Sequence, residues 1–193
     1  LIVNPHKWLF VPVDLNVLFC RRMATLRQAF SLVPEYLRTT DKDEIKNFMD
    51  YGPQLGRRFR ALKFWFVMRY FGEQGLVARL RHHLELAKEF AAWVDASDDF
   101  ERLAPVPLSV VCFRARPKAF HGDESAVSGQ ELDALNERLM AEVNRAGKIY
   151  LSHTKLNGKI TLRLAIGNIR TTREHIQLAW TELNRALAGL QEQ

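Results

Sequence analysis

A lysine set between a histidine and a tryptophan, in Asn4-Pro5-His6-Lys7-Trp8, is the feature of this sequence best suited to do chemistry. Lys7 opens an apolar run over residues 8–13, which draws its amine towards a water-poor environment. Desolvation disfavours the ammonium, lowers its pKa and yields an amine able to attack an aldehyde and form a Schiff base. From spacing alone the plainer reading, a strand-end lysine pointing to water, stands ahead of that one.

The other candidates carry less. Between Arg57 and His82 stand seven cations (Arg57, Arg58, Arg60, Lys63, Arg69, Arg79, Arg81) and one anion, Glu73, so this window alone holds the whole formal charge of +6. The cations alternate with Phe59, Leu62, Phe64, Trp65 and Phe66. That pattern points to a largely buried helix that meets a phosphate, an acidic ligand or another subunit, rather than to a basic arm for nucleic acid. Arg57 and Arg58 suit a carboxylate, a phosphate or a subunit contact as well as they suit structural ion pairs. His82 and His83 are adjacent on a helix, so they cannot form an i,i+4 metal pair, and they read as surface histidines. Cys20 and Cys112 show no metal spacing and read as thiols in a reducing cytoplasm.

These residues need elements to position them. With 47% apolar and 26% charged residues in a chain of 193, the composition is that of an ordinary globular protein and excludes a disordered or fibrous chain. No apolar stretch approaches the roughly 20 residues of a membrane span, so a soluble protein is expected. Strands are predicted over 8–13 and 17–21 around Asp14-Leu15-Asn16, then a helix over 22–30. Residues 31–54 show little periodicity, and so long a loop suggests a mobile lid. A helical pattern runs from Gly56 to a stop at Gly72. Leu76, Leu80, Leu84, Ala87, Phe90, Ala91 and Val94 mark a long amphipathic helix. A polar break at 96–99 is the expected domain boundary.

Beyond it a strand is predicted over 108–114 and a helix from the capping box Ser128-x-x-Glu131 to Arg145. A hairpin of 149–152 with 159–166 turns at Asn157-Gly158, a pair suited to positive φ. A last helix starts at Thr171-x-x-Glu174 and carries the stripe Ile176, Ala179, Trp180, Leu183 and Leu187. This order describes an α+β unit with helices on one face of an antiparallel sheet.

Three ordered segments carry a resemblance. Asn4-Pro5-His6-Lys7-Trp8-Leu9 resembles the pyridoxal-phosphate lysine motif of the group II amino-acid decarboxylases, whose best-known members are the aromatic-L-amino-acid decarboxylases. The stretch from Leu55-Gly56-Arg57-Arg58 to Phe66-Val67 resembles a second signature of that family. Lys159-x-Thr161-Leu162-Arg163-Leu164-Ala165-Ile166, followed by Thr171-Thr172 and Ala179-Trp180, resembles a third. The sequence is therefore identified as the C-terminal part of such an enzyme, a chain cut from a longer one just before its cofactor lysine.

The resemblance implies an α/β architecture of the fold type I pyridoxal-phosphate-dependent transferase kind. Residues 1–95 would be the end of the large cofactor domain, with the catalytic loop at about 31–54, and 96–193 the small α+β domain. It implies pyridoxal 5'-phosphate as cofactor, Lys7 as the Schiff-base lysine, and Asn4 and His6 beside the cofactor phosphate. Tyr36 would be the loop tyrosine that protonates Cα, a role suited to a hydroxyl on a closing loop. Gly56 and Arg57 would face the substrate, Gly56 leaving volume for a broad ring; its bland alternative is a helix-entry glycine chosen for backbone freedom.

Tyr36 favours simple decarboxylation, since relatives that form aldehydes tend to carry Phe there. The expected enzyme is a cytoplasmic, homodimeric carboxy-lyase acting on an aromatic L-amino acid. Its rivals are the same scaffold with another amino acid or an aldehyde product, and a non-catalytic basic binding module. The ring-stacking aromatic and the carboxylate for the pyridine nitrogen would lie before Leu1. The isolated chain is thus expected to bind the cofactor weakly and to release no amine.

Overall fold

A proline is readily placed at the first position of a helix, because its φ is preset and the N–H it lacks would have had no intrahelical partner. Pro5 starts α1 (Pro5–Trp8) in this way, a single turn with Asn4 as its N-cap residue. The computed structural model describes residues 1–31, 47–118 and 129–192. They divide into two compact units, Leu1–Glu73 and Gln74–Gln193. The sequence reading places its division at 95/96; the difference lies in the helical stretch after Gly72, whose apolar stripe is buried with the second unit's sheet.

In the first unit β1 (Ile2–Val3) pairs antiparallel with β2 (Val17–Leu18). The strand predicted over 8–13 does not form. Trp8 belongs to α1, and Phe10 takes a left-handed φ of 60°, which ends any extended run. The Pro5 carbonyl accepts the N–H groups of Leu9 (3.1 Å) and Val11 (3.3 Å), curling the chain, and Pro5, Val11 and Leu15 are buried beneath the curl. After α2 (Met23–Phe30), Arg27 Nε donates to Asp50 Oδ2 at 3.2 Å, tying that helix to a 3₁₀ turn at Phe48–Tyr51. Most of the predicted lid, with Tyr36 in it, lies outside the described residues.

The next helix, α3 (Arg60–Asp95), starts four residues later than the pattern predicts. It loses helical geometry at Gly72 (φ 64°, ψ 174°), the predicted stop, in a conformation that suits a residue without Cβ. Residues 60–71 are not the buried helix that the alternation of cations and aromatics suggests. None of them is buried, and Phe59, Trp65 and Phe66 are 75, 55 and 57% exposed. After Gly72 the stripe Leu76, His83, Leu86, Ala87, Phe90, Ala91 and Val94 is buried. His83 is therefore a core residue, whereas His82 is exposed, so the surface assignment fails for one of the pair.

The second unit is a four-stranded antiparallel sheet of β3 (Phe100–Arg102), β4 (Val110–Ala115), β5 (Ser152–Leu156) and β6 (Lys159–Ala165), in the order β3-β4-β6-β5. Helices α4 (Gly129–Arg145) and α5 (Arg173–Gln191) bury an apolar stripe in the same core as the latter part of α3. The predicted hairpin turn is present, with Asn157 at φ 50° and Gly158 at φ 79°, but its first strand is Ser152–Leu156 rather than 149–152. Strand β3, three residues long, is an addition to the predicted elements. The cap of α5 sits one residue later than Thr171: Thr172 and the His175 side chain make the reciprocal bonds expected of a Glu at that position. Ser128 of the other predicted capping box lies outside the described residues. Among the described residues no helix is long and apolar enough to cross a membrane.

Sheet ends leave backbone groups that must find partners, and α4 supplies them. The fully buried Asn136 accepts from the Ala115 N–H (2.7 Å) and donates to the carbonyls of Ala115 (2.9 Å) and Leu132 (2.8 Å), replacing a strand neighbour at the end of β4. Asn144 does the same for Leu151, at 2.7 and 2.9 Å, and Asp133 accepts from the Ile160 N–H at 2.9 Å.

Two outcomes follow for stability. Asn136→Leu strands two polar groups of Ala115 and should destabilise the second unit by about 2–4 kcal/mol, read as a lower urea midpoint at unchanged slope. Burial pushes the His83 imidazole below its ordinary 6.5, only partly offset by its hydrogen bond to the Asn168 backbone, and the neighbouring His82 adds to the depression. The unfolded chain then binds the extra proton. Stability should fall as pH drops below 6.5, well before carboxylates such as Glu182 titrate from an ordinary 4.5, and His83→Gln should remove that early loss.

Candidate functional site

One helical turn gathers Asn4, His6 and Lys7. The Lys7 N–H donates to the Asn4 carbonyl at 2.9 Å, closing the turn that Pro5 begins. The Asn4 side chain makes no capping bond, so its carboxamide is not consumed by the helix. The Lys7 side chain is exposed and has no ion-pair partner among the described residues. Lys7 therefore stands on a helical turn rather than at a strand end, and the desolvating surroundings expected for it are not provided by the described residues.

His6 is held more firmly. Its Nδ1 lies 2.6 Å from the Leu15 carbonyl oxygen. Two lone pairs would repel at that distance, so Nδ1 carries the proton and donates it. The Leu15 N–H also points at the same nitrogen, from 3.2 Å, a longer contact than the one to the carbonyl. Nε2 is then the polar atom of the ring that can face a ligand.

Leu15 is held in turn by its neighbour. Both Nε and Nη2 of Arg60 donate to Asp14 Oδ2, at 3.0 and 2.9 Å, fixing the loop before β2 to the first turn of α3. The Arg60 hydrogen bond is the main reason that the Asp14 carboxyl is held below its ordinary range. Sequence reasoning passed over this pair; the signal available was a lone acid in an apolar loop and an arginine at a helix start.

The two arginines singled out in the sequence are less engaged. Arg58 is 83% exposed at its side chain and stands 3.9 Å from Asp14 Oδ1. Arg57 is exposed, and its guanidinium lies over Gly52, where a Cβ would come within 2.7 Å of Nη2. Gly56 is exposed with nothing within 4 Å of a Cβ built on it, and its φ is not left-handed. Backbone freedom is thus not what glycine provides there. Asp14, Arg58 and Lys63 share a groove of about 350 Å³ with Phe59, Leu62 and Phe66, apolar walls beside cations. Tyr36 lies outside the described residues.

Comparison with known proteins bears on this arrangement. The profile described as "Pyridoxal-dependent decarboxylase conserved domain" matches residues 1–116. Tyrosine decarboxylase 1 of Narcissus pseudonarcissus is 37% identical over 194 residues, covering 98% of this chain and 37% of that protein. The aromatic-L-amino-acid decarboxylase of Sus scrofa is 38% identical over 189 residues, covering 97% of this chain and 36% of that protein. Among solved structures, Oryza sativa TDC with PLP and tryptamine superposes with a TM-score of 0.88 at 33% identity, covering 98% of this chain and 38% of that one. The chain thus spans well under half the length of the relatives it matches.

Since a Cβ at Gly56 meets no neighbour, Gly56→Ser should change thermal stability by no more than about 0.5 kcal/mol. A larger loss on calorimetry would show that this position serves the fold rather than a ligand.

Proposed function

The chain belongs to the pyridoxal-dependent decarboxylase family, and on that premise we propose that it is the part of an aromatic L-amino-acid decarboxylase that carries the cofactor lysine and the proton donor. The observation that carries this reading is the single turn that groups an exposed primary amine, an oriented imidazole and an uncommitted carboxamide at Lys7, His6 and Asn4.

That donor set fits pyridoxal phosphate. Lys7 supplies the amine that holds the aldehyde, His6 Nε2 and the Asn4 carboxamide supply polar contacts for the phosphate, and no acidic side chain stands within the turn. When bound, the pyridine ring takes up the electron pair left at Cα as carbon dioxide departs. The chain's own residues do the rest. Lys7 would hold the cofactor between turnovers, yielding it to the substrate amine as substrate enters and regaining it as product leaves. Tyr36 delivers its phenolic proton to Cα, which commits the reaction to an amine rather than to an aldehyde. Gly56 leaves room for an aromatic ring, and the exposed Arg57 is available to the substrate carboxylate.

In this reading residues 1–95 close the large cofactor domain of a fold type I enzyme and 96–193 form its small α+β domain. The enzyme works in the cytoplasm as a homodimer. The exposed Phe59, Trp65 and Phe66 support an assembly in which further protein covers that face. Among the described residues none walls Lys7 off from water, and the isolated chain is expected to release no amine by itself.

The test is borohydride reduction of the chain with pyridoxal phosphate, followed by peptide mapping. Label should appear on Lys7 and vanish in Lys7→Ala; label elsewhere would refute the assignment. Grafted in place of the matching segment of the Sus scrofa relative, the chain should support amine release from an aromatic amino acid. Tyr36→Phe should cut that rate by about 100-fold or more and, with dioxygen as the oxidant, yield aldehyde, ammonia and hydrogen peroxide instead of the amine.

A further inference from the structure

We infer that Asp14 and Arg60 are positioning residues: their ion pair holds the Leu15 carbonyl against His6 and so fixes the tautomer and the direction of that imidazole beside Lys7. The inference rests on the reading of Lys7 and His6 as the cofactor turn, and it adds residues to which neither the motifs nor the relatives assign a role.

A neutral histidine in water favours the proton on Nε2, yet the 2.6 Å contact to the Leu15 carbonyl demands it on Nδ1. Something must hold that carbonyl in place, because a nine-residue excursion separates His6 from Leu15. Burial of Val11 and Leu15 pins the excursion at two points, and the Pro5 carbonyl closes its start through Leu9 and Val11. The remaining fastening is polar. Asp14, the residue before Leu15, takes two N–H groups of Arg60 on one oxygen at 2.9 and 3.0 Å.

As a source of stability this half-exposed pair is minor, because solvent screens the attraction between its charges. Its consequence is geometric. With Nδ1 committed to the Leu15 carbonyl, Nε2 is the ring nitrogen left to face a ligand. A ring released from the carbonyl could turn its Nδ1 edge to the ligand or revert to the other tautomer. Arg60 and Asp14 touch no ligand in this scheme; they act through His6.

The test uses the 193-residue chain with ¹⁵N-labelled histidine and long-range proton–nitrogen correlation at mildly alkaline pH. His6 should show the Nδ1–H tautomer in the unmodified chain. Asp14→Ala and Arg60→Leu should return it to Nε2–H, whereas Arg27→Met, which breaks the Arg27–Asp50 ion pair, should leave it unchanged. Arg60→Lys, a milder change that keeps the charge without the two-pronged contact, should give a mixture; it keeps the test decisive if a harsher variant unfolds by circular dichroism. An Nε2–H tautomer in the unmodified chain, or an Nδ1–H tautomer that survives in the folded variants, would overturn the inference.

Borohydride trapping supplies the link to the ligand. Asp14→Ala should reduce labelling of Lys7 by pyridoxal phosphate about fivefold or more, and labelling by pyridoxal, which lacks the phosphate, far less. Equal losses for both aldehydes would overturn the link to the phosphate. Absence of any Lys7 labelling in the unmodified chain would instead refute the cofactor assignment, while the tautomer measurement would still decide the fastening.

Discussion

Burial of a single ring, Phe90, organises the second unit. It is fully enclosed and meets Trp93, Phe113 and Trp180 edge-on at centroid distances of 5.5–6.1 Å, and Phe100 joins the cluster against Phe113 and Trp180. Those rings come from α3, β3, β4 and α5, so one aromatic cluster fixes which face of the sheet the helices cover. Offset and edge-on contacts of this kind add to the area they bury. Once that face is set, the ends of β4 and the segment before β5 need polar partners, and the asparagines of α4 occupy the places left for them.

The first unit obeys a different constraint. Among its described residues the buried apolar side chains are Pro5, Val11 and Leu15, while Phe19, Phe48, Phe59, Trp65, Phe66 and Tyr70 are each more than half exposed. What keeps its candidate site in order is hydrogen bonding along a curled backbone, from the Pro5 carbonyl through the Leu15 carbonyl to the Asp14–Arg60 pair. A turn held that way can leave a lysine uncommitted, because none of its fastenings uses the Lys7 amine.

How much of this was legible depends on how local the cause was. The Asn157-Gly158 hairpin could be read because two positive φ values are a property of two residues. The stripe of α5 could be read because nineteen residues give it many repeats. The cap of that helix was misplaced by one residue because His175, not Glu174, completes it, and no propensity favours histidine there. His83 was taken for a surface residue although its spacing from Leu76, Ala87, Phe90 and Val94 puts it on the buried stripe; the apolar letters at Leu80 and Leu84 drew the stripe to the wrong side. The strand expected after Lys7 failed because Pro5 and Phe10 bend the chain, which hydropathy cannot register. Lys7, His6 and Asn4 were visible as a motif, whereas the carbonyl that orients His6 comes from a residue whose side chain takes no part.

The four tryptophans divide evenly between the units, and their surroundings differ. Trp93 and Trp180 lie 6.4 Å apart within the aromatic cluster, while Trp65 stands 55% exposed with the Arg69 guanidinium 5.9 Å from its ring. The chain therefore contains its own optical probes. A water-facing indole emits at longer wavelength and is open to collisional quenchers, and any protein that came to rest on Trp65 would shift its emission to the blue without disturbing the partly buried pair.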